Sequence, residues 1–212
     1  MAAECGNASN KRGTDRERGA SLIEILIVVF IMMVVASMAT PSIMQTVYNV
    51  RLRSSASDLA GLMQQARIMA AKNNVPYAIR YTTLGGSQIA YIDLNLNGTY
   101  GAGEPLVQFS GTVAPASGAP SGSGSQPAAY VLTGDTGSGT PYDNANVLGY
   151  SPRGLPCNYD SSTTPATCAT PAAKYFGYYL TDTRIGVSGW AAVIVTKGGR
   201  TKVVMWDGST WH

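Results

Sequence analysis

The chain has one histidine, His212, and that scarcity removes Ser-His-Asp chemistry and histidine-rich metal sites as explanations of function. No phosphate-loop spacing replaces them, and the acid pair Asp182 and Asp207 has nothing in its spacing to recommend it. A structural subunit is therefore expected, not an enzyme. Charge is also scarce, at 13% of residues with a net +3, a balance that does not by itself point to nucleic acid. Internal repeats are absent. Cysteine is limited to three, an awkward number for an oxidising compartment.

The supply of apolar residues, glycine and proline is ample. With 45% hydrophobic content, 212 residues suffice for a helix and one globular domain with its own core. The 24 glycines and 11 prolines gather after residue 84 and indicate turns and short strands. From Ala20 to Ala39 the only charged residue is Glu24. About 20 helical residues rise about 30 Å, the thickness of a bilayer core. Lys11, Arg12, Arg16 and Arg18 precede this run, so the positive-inside bias leaves residues 1–19 in the cytoplasm and sends the rest across. An unpaired carboxylate in hydrocarbon costs on the order of 3 kcal/mol, which makes Glu24 a functional candidate. Its plainer role is an acid that snorkels to the interface. A secretory signal peptide cut near Ser37-Met38-Ala39 is the rival reading, with a secreted β-domain as its product.

Against that rival, helical periodicity continues. Ile43, Val47 and Val50, then Leu52, Ala56, Leu59, Met63, Ala66 and Ala70, recur at spacings of three and four. One helix is expected from about Ala20 to Asn73, bent by Pro41 and stopped before Pro76. Its second half is amphipathic and should carry a sheet on its apolar stripe. Strands are expected at 77–82, 88–94, 106–110, 130–133, 147–151, 176–181, 191–196 and 201–206, the last two joined by the turn Lys197-Gly198-Gly199-Arg200. Residues 115–127 read as a flexible loop. The organisation is a leader over 1–19, a membrane helix over 20–40, an amphipathic helix over 41–74 and a β-rich domain over 75–212. The fold class is α+β, a long helix packed on an antiparallel sheet.

Loss of residues 1–19 would take Cys5 with it and leave Cys157 and Cys168 as a disulfide pair; two free thiols in a cytosolic protein is the alternative. The remaining eleven basic and nine acidic groups give +2.

The stretch Gly19-Ala20-Ser21-Leu22-Ile23-Glu24, with its basic leader, apolar run and Pro41, resembles the signal of type IV prepilins and pseudopilins. Tyr150-Ser151-Pro152-Arg153-Gly154, Trp190 to Val195, Gly199-Arg200-Thr201-Lys202 and Trp206-Asp207-Gly208 look like the minor pilins and pseudopilins of the GspH/FimT type. The resemblance implies cleavage by a prepilin peptidase between Gly19 and Ala20 and N-methylation of Ala20. Ala20 departs from the phenylalanine usual there. It also implies assembly with other pilin subunits through Glu24, which would pair with a neighbour's Ala20 amine. Pro41 stands where the family has its helix proline. The location implied is the bacterial inner membrane, single-pass, with a periplasmic domain that enters a pilus or a type II secretion pseudopilus.

Two further candidates lie in the domain. Asp93, Asn95, Asn97 and Glu104, with Gly98 between, fit the spacing of an EF-hand calcium loop, but the flanking segments read as strands and favour a plain Asx-rich turn, so no cofactor is expected. Lys197, Arg200 and Lys202, near Trp206 and Trp211, could touch DNA, as some FimT-like minor pilins do in DNA uptake through Gly-Arg-x-Arg. Here the second Arg is Lys202, which lacks the bidentate fork, and a solvated hairpin is the preferred reading.

Overall fold

The computed structural model describes residues 21–116, 119–120, 140–141, 147–160, 167–169 and 175–212, with backbone alone at 39–41 and 140–141. A single helix, α1, spans Leu22–Asn73, close to the expected limits, and runs through Pro41. The chain divides into two units, residues 1–43 and 44–212. In the first, Glu24 is the only charged residue of α1.

In the second unit α1 buries the expected stripe. Leu52, Ala56, Leu59, Met63, Ala66 and Ala70 are fully inaccessible, one face of a helix at spacings of three and four. The stripe starts later than its periodicity predicts, because Val47 and Val50 are exposed and cover begins at Leu52. Gln64 and Arg67 are half-buried, not solvated: Gln64 Nε2 donates to Thr201 Oγ1 (2.7 Å) and Arg67 Nη1 to the Gly199 carbonyl (3.2 Å). Asn74, with φ 54°, ends the helix in the left-handed conformation that asparagine tolerates.

Two sheets replace the one expected. The first contains β1 (Tyr77–Leu84), β2 (Ser87–Asp93), β3 (Leu106–Gln108), β6 (Leu148–Tyr150), β7 (Pro156–Asp160) and β8 (Thr167–Ala169), in the order β3-β2-β1-β6-β7-β8. The second has the order β11-β10-β9-β4, from β4 (Val113–Ala116), β9 (Tyr175–Asp182), β10 (Trp190–Thr196) and β11 (Thr201–Trp206). β5 (Thr140–Pro141) adds a short parallel pairing to β9, and the other ladders are antiparallel. The strand expected at 130–133 falls outside the described residues.

The α1 stripe shares one core cluster with Ile79 and Ile92, with Leu148 and Tyr150, and with Tyr178, Leu180, Val193 and Val195, so both sheets contribute to it. Alternation along β10 sends Ala192 and Ile194 to the opposite face, where they pack with Tyr175, Tyr179, Val204, Trp206 and Trp211. The second sheet is thereby apolar on both faces, which explains the near-continuous burial of β9 and β10.

Candidate functional site

At the start of α1 the Ser21 carbonyl accepts the amides of Glu24 (2.9 Å) and Ile25 (3.2 Å). Glu24 thus stands in the first turn, where free N–H groups and the helix dipole favour a negative charge. From Leu22 to Met38 every side chain is exposed, Leu22 at 81% and Phe30 at 66%. By length and composition the helix can cross a membrane, and none of its most apolar stretch is buried. Such continuous apolar surface requires a cover of lipid or of other apolar helices. Gly19 and Ala20 lie outside the described residues, and so does the Pro41 side chain.

The Asp93–Glu104 loop is built around its two acids. Asp93, fully buried, accepts Arg80 Nε (3.0 Å) and the Gly98 amide (2.9 Å) on Oδ2 and the Asn97 amide (3.2 Å) on Oδ1. Glu104 accepts the amides of Leu94 (2.9 Å) and Gly101 (2.8 Å). Asn95 and Asn97 each take an amide two residues on, as Asx turns do. A calcium loop aims its oxygens at one centre, whereas these carboxylates already face a guanidinium and backbone N–H groups. No group of three His, Cys, Asp or Glu side chains placed to hold a metal occurs among the described residues.

On the β10–β11 hairpin, Lys197, Arg200 and Lys202 are exposed. Trp206 and Trp211 are buried, with ring centroids 5.3 Å apart, so the aromatic half of the expected patch belongs to the core of the second sheet. Asp182 and Asp207 hold separate turns. Asp182 is buried and takes Thr112 Oγ1 (2.7 Å) and Arg184 Nε (3.3 Å); exposed Asp207 takes the amides of Ser209 (2.7 Å) and Thr210 (2.6 Å). Burial works to raise the Asp182 carboxyl, and the bonds from Thr112 and Arg184 with the Arg184 charge outweigh it, leaving it below the usual range. A Cys157–Cys168 disulfide ties β7 to β8, with Cα atoms 5.3 Å apart.

Comparison with known families acts on the two ends of this description. Residues 14–40 match the prokaryotic N-terminal methylation motif, and residues 55–170 match the type II transport protein GspH. The chain belongs to the GspH family. It is a pilin or pseudopilin anchored by its apolar N-terminal helix, and its family is one of structural subunits, not an enzyme class. No curated protein and no solved structure matched it significantly. The GspH match takes in the buried stripe from Ala56, the acid-centred loop and the disulfide hairpin, and stops before β9. Of the C-terminal patterns that resemble GspH/FimT proteins, Tyr150–Gly154 falls within the match and Trp190–Trp206 beyond it.

Proposed function

We propose that this chain is a minor pilin or pseudopilin, a structural subunit of a type IV pilus or a type II secretion pseudopilus. Prepilin peptidase cuts it after Gly19, and the new amine of Ala20 is methylated. The observation that carries the reading is an exposed apolar helix bearing one acid in its first turn, long and apolar enough to cross a membrane. Before assembly lipid covers the helix, with the chain in the inner membrane and its domain in the periplasm. The basic leader supports that orientation, and the Cys157–Cys168 disulfide suits an oxidising compartment. In the filament the helices of other subunits replace lipid. Glu24 pairs there with the Ala20 amine of a neighbour, which removes the cost of an isolated buried charge and sets the register of entry.

N-terminal sequencing of the protein recovered from membranes tests processing: a start at Ala20 is expected, and a start at Thr40 would mean signal peptidase and a secreted domain. Glu24→Ala is expected to leave cleavage and insertion intact and to lower recovery in sheared filaments about tenfold or more, the loss of one buried charge pair. Undiminished recovery would end the pairing idea.

A further inference from the structure

Two turns from different sheets meet at Arg67. Its Nη1 donates to the Gly199 carbonyl, and a Cβ at Gly199 would lie 3.1 Å from its guanidinium carbon, one at Gly154 3.5 Å from its Nε. Both glycines have positive φ, 72° at Gly154 and 79° at Gly199, so neither turn tolerates a side chain there without strain. Each turn is also closed internally. Gly154 N donates to the Ser151 carbonyl (2.8 Å) and Ser151 N to the Leu155 carbonyl (2.8 Å); Gly199 N donates to the Thr196 carbonyl (2.7 Å) and Thr196 N to the Arg200 carbonyl (3.0 Å).

Between these turns lies a concave pocket of about 370 Å³. Arg153 and Lys197 stand on its wall, and Leu155, Pro156 and the Cys157–Cys168 disulfide supply apolar lining. Leu155 is 43% exposed although it is a large aliphatic residue. Among the described residues no acid lines the pocket, and their ion pairs involve neither Arg153 nor Lys197. Two like charges on one concavity focus a positive potential into it, and a carboxylate placed between them gains from both. The volume is at the small end of the roughly 300–1,000 Å³ typical of ligand pockets, room for one or two side chains and not for a duplex.

We propose that this pocket docks an acidic and apolar peptide segment of a partner protein, its carboxylate held between Arg153 and Lys197 and its aliphatic neighbour on Leu155 and the disulfide. The site is independent of the membrane helix, so it stands or falls apart from the mode of filament assembly.

The test uses the full chain in phosphatidylcholine nanodiscs, whose lipid has no net charge. Fluorescence anisotropy is read with labelled Leu-Asp-Leu-Glu-Leu, the amide control Leu-Asn-Leu-Gln-Leu, and a short DNA duplex. The acidic peptide is expected to bind at least about tenfold tighter than the amide, the range of a charge-assisted hydrogen bond. Arg153→Ala with Lys197→Ala should remove that difference, and Arg53→Ala, on the helix and outside the pocket, should keep it. All three positions are exposed, so unchanged thermal unfolding is expected and confirms that each variant is folded. Equal binding of the two peptides, no binding of the acidic one, or a double variant that binds it as wild type does would overturn the proposal. Tighter binding of the duplex would also overturn it, in favour of nucleic acid.

Discussion

Arg184 places its guanidinium 4.2 Å from the centroid of the Tyr48 ring while its Nε holds the Asp182 carboxylate at 3.3 Å. Tyr48 belongs to α1 and Asp182 ends β9, so one cation joins the helix to the second sheet. Removing it leaves a fully buried carboxylate with Thr112 as its remaining side-chain donor. Breaking a buried pair costs about 3–5 kcal/mol, but Arg184 is one-third exposed and solvent screens part of this, so about 1–3 kcal/mol is expected for Arg184→Ala. At roughly 2–4 °C per kcal/mol for a domain of this size, calorimetry should show Tm lower by about 2–12 °C. Tyr48→Ala should cost less, on the order of 1 kcal/mol.

The same carboxylate gives stability a pH dependence of known sign. Asp182 and Asp207 are both held below the ordinary carboxylate range, Asp182 against its burial and Asp207 by donors from Thr210 and Ser209. A depressed folded pKa means that the unfolded chain binds protons first as pH falls. The contribution is therefore fully present above the unfolded pKa and is lost as pH drops through the folded values. Tm measured from pH 7 downward should be flat with respect to these groups until about pH 5, and then fall. Asp182→Asn should have a lower Tm at neutral pH and a shallower acid limb. An acid limb as steep as wild type would show that Asp182 is not its source.

The helix limits and seven strands were legible because their signals are local: a stripe at spacings of three and four, alternation, and the Gly198-Gly199 turn. β4, β5 and β7 escaped notice because each contains a proline, Pro115, Pro141 or Pro156, which normally argues against a strand. β8, three residues long and centred on Cys168, carries no period to read. The division into two sheets was equally invisible, since it depends on which strands β1 and β9 choose as partners. At the sites, the acid-centred loop was read as a plain Asx-rich turn ahead of a calcium loop, and what that reading lacked was Arg80, which lies 13 positions before Asp93 and donates to its carboxylate. Trp206 and Trp211 looked like a surface patch because burial on the second face of β10 and β11 requires knowing that this face is covered.

Two glycine-to-alanine substitutions should act in opposite directions. Gly149 pairs with Ala78 and Cys157 in the first sheet, and a Cβ there would sit 2.8 Å from Tyr159 Cβ and 3.1 Å from the Tyr77 carbonyl oxygen. Neither neighbour is the loose end of a flexible side chain, so Gly149→Ala should cost about 1–3 kcal/mol. Gly61 lies on an exposed face of α1 with nothing within 4 Å of its position for a Cβ. Gly61→Ala should add about 0.5–1 kcal/mol by reducing the freedom of the unfolded chain. Urea titration of the two variants reads both signs; a stabilised Gly149→Ala would show that β6 and β7 can separate at little cost.

The acid-centred loop permits a sharper test, because its two acids do different work. Asp93→Ala would remove the buried acceptor of the Arg80 Nε and Gly98 N–H groups and one of the two acceptors of the Asn97 amide, at a cost of about 3 kcal/mol. Glu104→Gln keeps an oxygen for one of the two amides, Leu94 or Gly101, and turns an NH2 group toward the other, so about 1 kcal/mol is expected. Calcium should not matter to either number. A ligand present at a hundred times its Kd stabilises by about 2.7 kcal/mol, a shift of several degrees that calorimetry cannot miss. With Arg80 already neutralising Asp93, a cation entering the loop would have to displace a guanidinium and turn several backbone amides away, so identical Tm in millimolar calcium and in chelator is the expected result. A rise in calcium that disappears in Glu104→Gln would mean that the loop exchanges its internal donors for metal, and the arginine-centred account would then fail.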